Sequence, residues 1–394
     1  MSAIPAAMHL SAQQIEELGR ELDGMREEVL ESRGERDRRY IVRLIRTQRS
    51  LALGGRLALV LASFFLPAWE HALGQAALWT LTATGTSMLA LAKILENMEI
   101  GHNVLHAQWD WMMDPDIQSS TWEWDHACPA DQWIHSHNVV HHTWTNVHGK
   151  DRDIGYGMLR VTEGQRWHPF HLLNPLNALA MAVFFEWFIS IHDLELNRII
   201  AGKKTLAQAR PLLRGVGRKL LRQSLKDYVL WPLVAAAIVT PAALAGAGPS
   251  PLAAALLVLG ANASACVLRN LWTFVIIFCG HFPAGVHHFP REAVEGETRA
   301  QWYLRQLLGS CNIDGGKTFH VLSGNLSHQI EHHLFPDLPS NRYPELAPRV
   351  RALAERYGLP YNTGSLSRQF GTTMWAILRL SMPPRRAAVR WQSA

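Results

Sequence analysis

Apolar residues in this chain gather into four long runs, 51–69, 76–95, 228–244 and 252–268. Each approaches the ~20 apolar residues a helix needs to cross a hydrocarbon core. The runs pair off, because the turns at 70–75 and 245–251 are short and carry no lysine or arginine. The other ends are basic: six arginines lie between 36 and 49, and residues 198–226 form a lysine- and arginine-rich connector. By the positive-inside rule the open ends of both hairpins, and with them both termini, face the cytoplasm. The pattern predicts an all-α integral membrane protein, with four transmembrane helices in two hairpins and a cytoplasmic helical cap.

The flanking segments read differently. Residues 1–50 form a polar helical segment without the apolar stretch of a cleavable signal peptide. Ser11 and Gln14 are spaced as a capping box for a helix to about residue 32, whose many Glu and Arg positions predict a solvated face. The second apolar run is expected to continue past Glu96 and Glu99, and the fourth past Arg269, each lifting polar residues out of the hydrocarbon. A further apolar stretch, 174–191, is crowded by Pro175, Glu186, His192 and Asp193 and reads as an interfacial helix. Residues 362–394 are expected to be a cytoplasmic tail, leaving 51–361 as the membrane domain.

Charge and cysteine content narrow the possible roles. The net charge of +5 is concentrated beside the apolar runs, which suits an anionic lipid surface or an anionic substrate, and no nucleic-acid module is apparent. The four cysteines, Cys128, Cys266, Cys279 and Cys311, show neither a CxxC pair nor disulfide spacing, which fits a reducing compartment.

The candidate chemistry lies in the histidines. His102 and His106 stand at i, i+4; His137, His141 and His142 follow in a second box; His328, His332 and His333 repeat that spacing in a third. On an α-helix each residue turns roughly 100°, so i and i+4 share a face while His142 points away from His141. Neutral imidazole suits Zn, Cu, Fe and Ni. Eight imidazoles exceed one tetrahedral ion and point to a dinuclear site, with His281, at the end of the fourth helix, as a ninth candidate. His135 is a candidate for orienting a ligand. A carboxylate-bridged bundle with paired Glu-x-x-His motifs fits poorly: Glu99/His102 and Glu123/His126 are interrupted by Pro115 and leave the boxes unexplained.

The boxes His102-x-x-x-His106, His137-Asn-Val-Val-His141-His142 and Gln329-Ile-Glu-His332-His333-Leu-Phe-Pro, divided by two membrane hairpins, resemble the integral-membrane fatty acid desaturases over about 51–361. Residues 324–336, Gly-Asn-Leu-Ser-His-Gln-Ile-Glu-His-His-Leu-Phe-Pro, are most similar to the bacterial acyl-CoA desaturases of stearoyl type. The resemblance implies a non-haem centre of two iron ions that activates O2 and removes two hydrogens from a methylene pair. The expected substrate is a long-chain acyl-CoA, or an acyl lipid, desaturated at the delta-9 position.

Carried over by position, His102, His106, His137, His141, His142, His332 and His333 are the implied ligands, and His281 matches a histidine on the fourth helix. The first position of the third box is open between His328 and Gln329, and the repeated spacing favours His328. Where stearoyl desaturases carry an asparagine four residues before the helix histidine, this chain has Ile277. The only His-Pro pair, His168-Pro169, is followed by Phe170, so no fused cytochrome b5 domain is expected.

With no flavin or nicotinamide fingerprint and no four-cysteine cluster, electrons are expected from a separate ferredoxin or flavin reductase. The expected location is a bacterial inner membrane. Two other readings remain: a histidine-box hydroxylase or ketolase, and a non-enzymatic membrane metal carrier or sensor.

Overall fold

A computed structural model describes residues 7, 9–68, 70–200 and 202–384. Trp69, the last residue of the first apolar run, and positions 385–394 of the tail lie outside them. The chain is mostly helical and divides into two compact units. One comprises Met1–Gly34, Ile134–Ala182 and Phe274–Ala394; the other comprises Glu35–Trp133 and Val183–Thr273.

In the first unit the helix Ala12–Glu31 is capped by Ser11 and Gln14 in the reciprocal arrangement its sequence predicts. Its Glu- and Arg-rich face is solvated, and its other face is not. Ile15, Leu18, Leu22 and Val29 are buried in one core with Tyr303, Leu304, Leu307, Ile330, Leu334, Phe335 and Tyr343. A Cβ on Gly19 would stand 2.6 Å from Ala300 Cβ, so this helix and Arg299–Leu308 approach almost backbone to backbone. The glutamates and arginines that made it look solvated hold its rim: Glu28 pairs with Arg349 at 2.7 Å, and Arg26 with Asp337 at 2.5 Å. Two three-residue strands, Asn312–Asp314 and Thr363–Ser365, pair in parallel. The C-terminal helix Leu366–Ser381 follows the second of them.

The second unit carries the apolar runs. Helix Glu35–Ser63 packs on Ala72–Leu95 where Gly55 and Gly85 face each other; a Cβ on Gly55 would lie 2.8 Å from the Gly85 carbonyl oxygen. Leu59, Leu89, Ala90, Ala235, Val258, Ala261 and Ala265 fill the core. Leu53, Leu57, Leu73, Leu233, Leu252 and Leu256 point outward and are exposed, the inverse of a water-soluble surface.

Among the described residues three helices are long and apolar enough to cross a membrane: Ala72–Leu105, Leu206–Leu244 and Pro251–His281. A fourth exists if the bent pair Pro169–Val183 and Phe185–His192 is one span. The second and fourth runs do continue as expected, to Leu105 and His281. The first run is shorter than its sequence suggested, since its helix begins at Glu35 among the arginines and ends at Ser63. The stretch 174–191 is two helices broken at Phe184, and Glu186 in the second of them is buried.

Buried charges in this unit are paired, as a water-poor interior requires. Arg269 lies 2.6 Å from Glu186 and donates to Asn97 Oδ1 at 2.7 Å. Lys93 reaches Asp227 at 2.8 Å and Asp125 at 3.2 Å. Burial alone would raise the Asp125 carboxyl, but Lys93 and Lys226 outweigh it and hold the group well below the usual carboxylate range. Removing one partner of such a pair strands the other. Glu186→Ala is therefore expected to cost about 3–5 kcal/mol, read as a lowered thermal midpoint in detergent, while Glu186→Gln with Arg269→Met recovers most of it.

Candidate metal centre

The second histidine box does not lie on an ordinary α-helix. Ile134–His141 forms a π-helix, as does Glu96–Gly101 immediately before the first box. In a π-helix the repeat is i to i+5, and such turns cluster at functional sites. His142 is therefore brought back over His137, and their Nε2 atoms stand 3.3 Å apart. Two nitrogens bonded to one ion at about 2.1 Å each are separated by roughly that distance.

Within the first unit the histidines converge. One ring nitrogen from each of His141, His281 and His333 lies within 4.8 Å of the others, and all three residues are buried. His137 and His332 likewise offer nitrogens within 4.8 Å of one another. The His142 ring stacks on His333 at 4.4 Å and stands edge-on to His332 at 4.8 Å.

Three of the rings are held through Nδ1. His141 Nδ1 lies 3.1 Å from an Asp151 oxygen, and His333 Nδ1 lies 3.1 Å from Gln306 Oε1 and 3.2 Å from Thr145 Oγ1. Tyr343 donates its hydroxyl to the Phe335 carbonyl and stands 3.4 Å from His332 Nδ1. These contacts fix the tautomer that leaves Nε2 as a lone-pair donor.

The loops holding the box are themselves buried. Arg305, wholly enclosed, donates to the carbonyls of Thr143 and Thr145 and pairs with Glu297 at 2.7 Å. Asn146 adopts a left-handed conformation, φ +57°, and donates to the Gly309 carbonyl at 2.9 Å, while Asp151 accepts its backbone N–H. Burial would depress His141, yet Asp151 reverses the effect and raises its pKa.

His281 tests whether these residues suit a metal. Its Nε2 is 3.0 Å from the Gln329 amide nitrogen, whereas its buried Nδ1 has no hydrogen-bond partner among the described residues. A buried lone pair needs a partner, and a shared ion beside His141 and His333 supplies one. An all-nitrogen donor set fits iron. His137, His141 and Asp153 form a third group, through which a carboxylate oxygen is also within reach.

Other expected positions fall elsewhere. His328 belongs to none of the three-membered groups among the described residues. Its ring lies against His320 at 4.5 Å, and its Nδ1 is 4.0 Å from Glu331. Gln329 occupies the place beside His281 instead. His135 is exposed and has no hydrogen bond to a candidate ligand among the described residues; Asp151, Gln306, Thr145 and Tyr343 do that work. Only Asp151 had a signal in the sequence, as an acidic residue ten positions after His141.

Asn312 secures the third box by accepting the Ile330 N–H and donating to Glu331. Burial pushes the Glu331 carboxyl up to about 7.

In the second unit the rings of His102 and His106 are 4.9 Å apart, with Trp133 edge-on to both at 5.0 and 5.7 Å. Trp124 backs Trp133, and a Cβ on Gly101 would meet it at 3.0 Å. Glu99 accepts the Tyr40 hydroxyl and Glu123 pairs with Lys219.

His328 gives a pH test. Burial, helped by His320, depresses its pKa to about 4. The unfolded chain takes that proton near 6.5 and the folded one only near 4. The stabilising contribution is thus complete above 6.5 and is lost as pH falls toward 4. By pH 5 the loss is about 2 kcal/mol. The thermal midpoint should fall between pH 7 and 5, and His328→Asn should reduce that slope.

A family model for fatty acid desaturase matches residues 77–365. The chain is 46% identical over 377 residues to the NADPH-dependent stearoyl-CoA 9-desaturase of Mycobacterium tuberculosis (strain ATCC 25618 / H37Rv), covering 96% of this chain and 82% of that protein. It is 23% identical over 316 residues to the sn-1 linoleoyl-lipid 6-desaturase of Synechocystis sp., covering 77% and 81%. It is 29% identical over 234 residues to the acyl-lipid (7-3)-desaturase of Rebecca salina, covering 58% and 48%. No solved structure matches.

Proposed function

Since the chain belongs to the fatty acid desaturase family, we propose that it inserts a delta-9 double bond into a long saturated acyl-CoA of stearoyl type. It is an oxidoreductase acting on acyl chains. The observation that carries the metal part of the proposal is the trio His141, His281 and His333, buried together with a partnerless Nδ1 among them. The CoA carrier and the delta-9 position rest on the 46% identity to the mycobacterial enzyme.

The proposed centre holds two iron ions. His137, His141, His142, His281, His332 and His333 are its ligands in the first unit, supported by their mutual distances. His102 and His106 are assigned by spacing and family pattern. His328 is left out and Gln329 placed beside His281, on the contact between them. Iron supplies the O2 activation that an unactivated C–H bond demands.

The chain's own part is to hold the rings. Asp151, Gln306 with Thr145, and Tyr343 keep one nitrogen of His141, His333 and His332 engaged, and Arg305 and Asn146 tie down the box-bearing loop. The proposal includes four membrane spans with the histidines on the cytoplasmic side of a bacterial inner membrane. Electrons come from a separate NADPH-linked reductase or ferredoxin.

The test is product analysis in an aerobic host without its own desaturase, supplied with ferredoxin and reductase. Mass spectra of dimethyl-disulfide adducts should show one new monoene, with the double bond at carbon 9. His333→Ala should abolish it and His328→Asn should retain it. Hydroxylated chains would favour the oxygenase reading; unchanged lipids would favour a metal carrier.

A further inference from the structure

The C-terminal helix Leu366–Ser381 has two faces. Gln369, Thr373, Ile377 and Leu380 are buried in the first unit, whereas Trp375, Leu378 and Met382, at i, i+3 and i+7, form an apolar stripe outside. Side chains from the neighbouring segment cap its last carbonyls. Trp167 donates to Ser381 at 2.8 Å, Arg160 to Leu380 at 3.2 Å and Asn174 to Ile377 at 3.3 Å. That segment bears a second stripe, Leu172, Leu176 and Leu179. The six residues of the two stripes are 51–64% exposed.

We propose that these adjacent stripes are a bilayer-docking surface, with the C-terminal helix lying in the interface of an anionic membrane instead of forming a cytoplasmic tail. Three observations choose lipid over a protein partner. The helix carrying Leu176 and Leu179 belongs to the pair Pro169–Val183 and Phe185–His192, which has the length and apolarity of a membrane segment. Tryptophan beside leucine and methionine suits the headgroup boundary. Arg368 lies on the same helix, where Arg379 is already paired with Glu163 at 2.7 Å, and the sequence continues with Arg385, Arg386 and Arg390, a basic composition suited to anionic headgroups.

The test uses the full chain in nanodiscs of mixed zwitterionic and anionic phospholipid. All four native cysteines are buried, so Leu378→Cys can be labelled selectively with an environment-sensitive fluorophore. Glu355→Cys, on the exposed side of Tyr343–Arg356, is the aqueous reference. The label at 378 should emit to the blue of the one at 355. It should be quenched severalfold more by lipids with a shallow nitroxide than by aqueous iodide, with the order reversed at 355. Iodide quenching at 378 equal to that at 355 would overturn the proposal. Protection at 378 from both quenchers would also overturn it, in favour of a contact between copies of the chain.

Discussion

Crowding imidazole rings into a dry space is the constraint on which the rest of the structure depends. Each ring that is to hold an ion must present a chosen nitrogen free of its proton. The first unit meets this with acceptors built into its core. Asp151 lies against His141, Gln306 and Thr145 against His333, and the Tyr343 hydroxyl against His332. Gln306 does double duty, since its amide nitrogen donates to the His142 carbonyl and its oxygen faces His333. One residue of Arg299–Leu308 therefore sets the spacing between the second and third boxes.

That helix is also where the N-terminal helix docks, through Gly19 against Ala300. A segment with no histidine near the centre thus helps fix the position of its ligands. In the second unit the constraint takes another form. Buried Lys93, Arg269, Asp125, Asp227 and Glu186 compensate one another among apolar helices. They hold the chain around Trp124, which supports Trp133 against His102 and His106.

Much of this was legible in the sequence. The apolar runs, the continuation of two of them to Leu105 and His281, the Ser11 cap and the convergence of His141 with His333 follow from composition and spacing. Three features were not. A π-turn leaves no mark on hydrophobic periodicity, so the approach of His142 to His137 was not foreseen. Repeated spacing favoured His328, but the third box begins with a short 3-10 turn, Leu326–His328, which swings that ring toward His320 and leaves Gln329 facing His281. The N-terminal helix looked solvated because its Glu and Arg outnumber its apolar residues, although Ile15, Leu18, Leu22 and Val29 lie on one stripe.

The most direct test of the account is iron stoichiometry combined with X-ray absorption on the purified protein. Two irons per chain, with a shell dominated by imidazole nitrogen and both irons lost in a His141→Ala, His333→Ala double variant, is the expected result. A single iron, or a shell dominated by carboxylate oxygen, would contradict the histidine-held pair.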